Sequence, residues 1–306
     1  MGIIRKYDDN PYEIITVLSN GANFAIDSSM ALAKYSGQIS DFIKLVRESS
    51  SSADLLFKIR SPGINANTRM TYLKLFRRCV CSSLDTELSK KINAVSTETL
   101  VTNFSEHFLD ISELKNFFNK DFTYCHLMSL SCLLAEYDKR GTSGYQLTDL
   151  LFNQLESLYP NVDVLGPRGA GKDIELNTVY PSFTGGKFPC DFVIKEKRTE
   201  KVLAVGFSRY DSTRGGAQSD DRTGGNAQKV SKLREHFALT GEIIKVLFVS
   251  DGPGLAHNDT WEETLNLDES WDDNVRVTTL KTLEEVTQNW LIVNYTREST
   301  RSLYSL

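Results

Sequence analysis

Residues 187–222 constrain this chain most, because two short apolar runs flank a charged turn there and lead into a segment crowded with Arg and Asp. Asp191 heads the first run, Phe192–Ile194; Lys195–Lys201 make the turn and Val202–Phe207 the second run. Such β-branched and aromatic runs predict an antiparallel hairpin inside a buried sheet. Counting symmetrically about Arg198 sets Asp191 across from Gly206, so the segment SRYDSTRGGAQSDDR, Ser208–Arg222, lies beside that carboxylate. Gly215 and Gly216 bend it as a loop, and Gln218 offers both a donor and an acceptor. A carboxylate facing a loop dense in Arg and Asp suits a metal ion working on a phosphodiester. Carboxylates hold Mg²⁺ through hard oxygens, and arginine grips phosphate with paired hydrogen bonds. The plainer alternative is a solvated loop whose charges pair with one another.

The chain's 306 residues suffice for one large domain or two modest ones. With 40% hydrophobic and 25% charged residues it reads as a globular protein rather than a disordered one. A net charge of -5 supplies no global pull toward nucleic acid, so any basic surface must be local. Cys79, Cys81, Cys125, Cys132 and Cys190 are odd in number and show no CxxC spacing. They read as reduced core thiols of a cytoplasmic protein, not as a zinc site. No stretch approaches the roughly 18 apolar residues of a membrane span.

Residues 1–145 read as mainly helical, a recognition or dimerisation region, and residues 146–306 as an α/β core. Ser28–Glu48 has apolar positions at helical spacing, and a second helix starts at Asn67 or Thr68 with Lys74, Arg77 and Arg78 along one face. His126 lies in an apolar stretch and reads as a satisfied core histidine. A helix capped near Thr148 stops at Pro160. The texture then changes to the β runs NVDVL, DIELNTVY, DFVIK and KVLAVGF. A helix over Asn226–Leu239, the continuous apolar strand EIIKVLFVS, and a helix, strand and helix follow.

GPRGAGKD, Gly166–Asp173, has the spacing of a phosphate-binding P-loop. Its eighth position is Asp173 where a hydroxyl would bind Mg²⁺, and IELNTVY alternates like a strand where a helix should open. It reads as a Gly-rich loop that brings Arg168 and Lys172 near a phosphate. Asp173 and Glu175 then share one face of a strand beside the hairpin, so three carboxylates with Asp191 could converge around a cation.

This order of helix, strand, Asp-headed strand, second hairpin strand, helix and strand, from about 145 to 290, resembles the catalytic core of the PD-(D/E)XK nuclease superfamily. More narrowly it resembles a type II restriction endonuclease, a bacterial cytoplasmic enzyme. Pro189-Cys190-Asp191 stands where Pro-Asp would be, with one residue inserted. The resemblance implies an α/β mixed-sheet fold, Mg²⁺ as cofactor, double-stranded DNA as substrate, a homodimer and no membrane. It makes Asp191 the metal-binding aspartate. The second strand departs from the pattern, since neither Ala204-Val205-Gly206 nor Gly206-Phe207-Ser208 supplies Glu-X-Lys. Asp220 or Asp221 would replace the acid from the next helix, and Glu175 or Asp173 from the neighbouring strand. Lys172 is the candidate for the displaced lysine, with Arg209 next. Arg209, Asp211, Arg214, Gln218, Asp221 and Arg222 are candidates for DNA contact. The alternatives are a non-catalytic DNA-binding module on this fold and a nucleotide hydrolase using Gly166–Lys172.

Overall fold

The computed structural model describes residues 2–18, 24–139, 142–212 and 218–291, with the backbone alone at 137, 139 and 218–224. Its contacts group into two units, Asn20–Arg140 and Met1–Ser19 with Gly141–Leu306. The first 19 residues thus go with the α/β core, not with the helical region that follows them.

In the helical unit, α1 is Phe24–Glu48, and Tyr35, Ile39, Phe42, Ile43 and Val46 form its buried face. That three- and four-residue spacing is what lets one stripe enter a core. Ser51 caps α2, Ser52–Ile59, by accepting from the Asp54 N–H, and Asn65 caps α3, Ala66–Cys79, by accepting from the Thr68 N–H. Asp85, Ser96 and Asp110 do the same for α4, Thr86–Ser89, α5, Thr97–Phe104, and α6, Ile111–Asn116. A π-helical turn, Phe117–Asp121, precedes α7, Tyr124–Lys139. Buried Arg60 organises the 89–97 loop, donating to Ser89 O, Val95 O and Thr97 Oγ1. Two expectations change here. His126 is exposed rather than in the core, its Nδ1 accepting from the Thr123 N–H at 3.1 Å at the start of α7. Cys125 is exposed too, whereas burial pushes the Cys79 thiol up to about 11.

After its amino-terminal segment, the second unit resumes with α8, Thr142–Leu158, and β1, Val162–Leu165. Next come β2, Ile174–Glu175, the helical turn α9, Leu176–Val179, and β3, Pro189–Cys190. The hairpin is β4, Phe192–Glu196, and β5, Val202–Tyr210, followed by α10, Gln218–Thr240, and β6, Lys245–Asp251. Then come α11, Asn258–Leu267, β7, Ser270–Asp273, β8, Val275–Thr278, and α12, Leu283–Thr287. The five-stranded sheet has the order β1-β4-β5-β6-β8, and β2 pairs with β3 separately. Pairs β1–β4 and β4–β5 are antiparallel, while β5–β6 and β6–β8 are parallel. The fold is therefore α/β with a mixed sheet, as read from the sequence.

Both faces of the sheet are covered, which is why its strands are continuously apolar. Val193, Val205, Val246 and Val277 pack with Val230, Leu233 and Trp261 on one side. Phe192, Ile194, Ala204 and Leu247 pack with Leu151, Phe152, Leu155 and Leu283 on the other.

The hairpin register differs by one residue from the symmetric count, because a bulge between Ile194 and Lys195 shifts it and sets Phe192 across from Gly206. A Cβ on Gly206 would overlap the Phe192 ring. Gly206→Ala is therefore expected to cost about 1–3 kcal/mol by overpacking. Urea denaturation checks this: the cost should shrink in a Phe192→Leu background, and equal cost in both would break the explanation.

Three further differences bear on the site. Only Ile174–Glu175 of IELNTVY is strand, and Leu176–Val179 turns helical. β5 continues through Ser208, Arg209 and Tyr210, because β6 offers a parallel partner as far as Tyr210↔Asp251. Finally, α10 starts at Gln218 rather than at Asn226, so Gly224 and Gly225 belong to a helix.

Candidate active site

A cleft of about 420 Å³ opens beyond the C-terminal ends of β5 and β6, between α10 and α11. Asp191, Ser208, Arg209, Asp211, Asn226 and Lys229 line it. In α/β sheets with parallel neighbours, that is where ligands collect.

Asp191 sits at the mouth of the hairpin, its N–H donating to Gly206 O at 3.0 Å. Its Oδ2 accepts from the Ser208 N–H at 2.7 Å. Burial pushes this carboxyl above the usual range; the Ser208 N–H opposes the rise, the charge of Asp173 adds to it and that of Lys229 opposes it. Gly166, the first glycine of GPRGAGKD, allows the chain to pass close by, since a Cβ there would stand 2.6 Å from the Asp191 carbonyl oxygen.

The β2–β3 pair carries the upstream acids alongside, with Ile174 opposite Cys190 and Glu175 opposite Pro189. Asp173 is exposed, yet its charge is felt by Asp191 and by Lys229. Glu175 is committed locally, its Oε2 accepting from the Phe188 N–H at 3.1 Å. Lys172 is exposed, and the charges acting on Asp191 come from Asp173 and Lys229. Among the described residues no group of three or more His, Cys, Asp or Glu gathers as a metal cage. Cys190 lies beneath, its thiol pushed up to about 12, chiefly by burial.

Lys229 is the functional candidate that sequence reasoning missed. Its Nζ lies 3.7 Å from the Phe207 ring centroid, and the residue is half-buried. Burial lowers the pKa of its ammonium, while the charges of Asp191 and then Asp173 oppose that fall. Four residues before Leu233 and three after Asn226, it lies on the inward face of α10, and a lysine on that face was the available signal. His236, further along α10, holds the helix to the segment before Pro189. Its Nδ1 accepts from the Thr184 N–H at 3.3 Å, and burial lowers its pKa.

Arg209 leaves β5 at the cleft rim and pairs with Asp211. Arg168 is held by α8, donating to Asn153 at 2.7 Å and Glu156 at 2.6 Å over the Phe152 ring, so it is not presented to a phosphate. No helix opens at Lys172, because β2 follows, and the arrangement is not that of a P-loop. Arg214 lies outside the described residues. Gln218, Asp220, Asp221 and Arg222 are on the first turns of α10, and their side chains lie outside the described residues. No described helix is long and apolar enough to cross a membrane.

No family model and no curated protein matches the sequence. Among solved structures, the chain is similar to the pre-specific restriction endonuclease BsaWI in complex with DNA. The identity is 13% and the TM-score 0.33, over 74% of this chain and 94% of that one. A likeness this distant carries no functional argument.

Proposed function

We propose that this chain is a Mg²⁺-dependent endonuclease that hydrolyses double-stranded DNA at a specific sequence, acting as a homodimer on two-fold sites. The observation that supports this most is the placement of Asp191 and Lys229 in one cleft beyond the ends of β5 and β6, both under the charge of nearby Asp173, with Arg209 in the same lining. Two carboxylates suit Mg²⁺, which takes one or two from a protein and completes its octahedron with water and substrate phosphate. Asp191 fits, because Ser208 engages only Oδ2, and its repulsion from Asp173 is what a cation would offset. Mg²⁺ held by Asp191 and Asp173 would supply Lewis acidity toward the phosphate and lower the pKa of a bound water.

The chain's own groups do the rest. Ser208 fixes the Asp191 carboxylate. Lys229, pressed on Phe207 and poorly hydrated, balances charge on the phosphate and orients the attacking water. Asn226 Oδ1 lies 3.5 Å from the Lys229 Nζ and steadies it. Asp220, Asp221, Arg214, Gln218 and Arg222 remain candidates for an additional acid and for DNA contact, and the helical unit would serve recognition or dimerisation.

A non-catalytic DNA-binding module is the second reading, favoured by one observation: Ser208-Arg209-Tyr210 ends β5 with no acid and no lysine. Incubation of the protein with phage or plasmid DNA separates the two. Discrete fragments in Mg²⁺, lost with EDTA and in Asp191→Ala, are expected. Intact DNA under both Mg²⁺ and Mn²⁺, with binding retained, would leave the module.

A further inference from the structure

We propose that Asp211 is a positioning residue that aims Arg209 as a clamp on a non-bridging phosphodiester oxygen, rather than a DNA contact itself; this rests on the nuclease reading. The backbone of Asp211 is gripped by the turn after β6. Its N–H donates to Asp251 O at 2.7 Å, and its carbonyl accepts from the Gly254 N–H at 2.7 Å. Gly252 has φ of 102°, and a Cβ there would lie 2.6 Å from the Asp211 carbonyl oxygen, so this grip needs glycine. Residues two apart on an extended chain project to one side, which brings the Arg209 guanidinium over the Asp211 carboxylate. Asp211 is 7% exposed, and its Oδ1 accepts from Arg209 Nη2.

A side chain so enclosed cannot reach a base edge, but it can fix a guanidinium plane. Arg209 keeps about a third of its side chain in solvent, lines the cleft that holds Asp191 and Lys229, and makes no other hydrogen bond among the described residues. Its remaining N–H groups are the planar, pre-oriented donors that a phosphate accepts. The pair is formally neutral, so what it offers an anion is direction rather than net charge. That separates it from Lys229, a point charge deeper in the same cleft.

Binding of a duplex in Ca²⁺, measured across salt concentrations, tests this with wild type, Arg209→Lys, Arg209→Ala, Asp211→Asn and Arg209→Ala/Asp211→Asn. Arg209→Lys keeps a cation for Asp211 but loses the fork, and binding is expected to weaken about tenfold. Asp211→Asn removes a negative charge, which alone would tighten binding to DNA. Held against that, a loss of about tenfold is expected, and no further loss when it is added to Arg209→Ala. Thermal unfolding of each variant reports whether the fold survives. Tighter binding by Asp211→Asn, or the same loss in both backgrounds, would overturn the positioning role and leave the nuclease reading standing. A wild-type protein that binds no duplex would overturn both.

Discussion

Replacing Lys229 by methionine is expected to lower the rate of cleavage by about 10²–10⁴-fold, the usual contribution of a placed proton-transfer or charge-balancing group. Methionine keeps an unbranched apolar stem against Phe207 and removes only the ammonium, so packing is conserved. The fold should not suffer, since burial disfavours that ammonium and removing it relieves the cost of desolvation. Single-turnover cleavage at saturating Mg²⁺ gives the rate, and duplex binding in Ca²⁺ shows whether the substrate still docks. Lys172→Ala provides the contrast, because Lys172 is exposed outside the cleft lining, and a change of a few-fold at most is expected. Near-wild-type rates in Lys229→Met together with a collapse in Lys172→Ala would reverse the assignment.

Asp251→Ala should be the most damaging single change to stability, at about 3–5 kcal/mol, since it strands buried donors that have no substitute. The carboxylate is completely buried at the end of β6. Its Oδ1 accepts from the N–H groups of Thr16 and Gly252, each at 2.7 Å, and its Oδ2 accepts from the Leu280 N–H at 2.9 Å. One side chain therefore joins the amino-terminal segment, the turn that grips Asp211, and the exit of β8. Asn should cost less than Ala, because its amide oxygen still accepts two bonds while its NH₂ confronts the remaining donor. Urea denaturation at constant m-value measures both. A loss below about 1 kcal/mol for Ala would show that water replaces the carboxylate.

The parts of the site that depend on chain-local pattern were legible. Asp191 at the head of an apolar run, the turn at 195–201 and the strand EIIKVLFVS each announce themselves by a run of β-branched residues and its break. The one-residue register error arose from a bulge, which no pattern of polarity records. Asp251 reads as the last residue of a strand before Gly-Pro, and nothing local says that it will meet Thr16 across 235 positions. Lys229 was hidden for a related reason. In NAQKVSKLREHF its spacing to Leu233 sets it on the inward face, but the partner it meets there, Phe207, comes from β5, earlier in the chain, and is shown only by the placement of α10. The P-loop spacing at Gly166–Lys172 is already countered in the sequence by Asp173 and the strand-like residues after it, and its first glycine answers instead to the Asp191 backbone and the Phe152 ring.

The threading of residues 2–18 into the α/β unit, ahead of the whole of Asn20–Arg140, sets an order of events during synthesis. The helical unit is closed by contacts within its own stretch and can form while later codons are still being read. Residues 2–18 cannot settle until β6 and the chain beyond β8 have been made, because Asp251 bonds Thr16 and Leu280 together. Assembly of this unit thus waits for the chain as far as Leu280, and a chain stopped before β6 would carry a finished helical unit but no Asp251 link to hold residues 2–18.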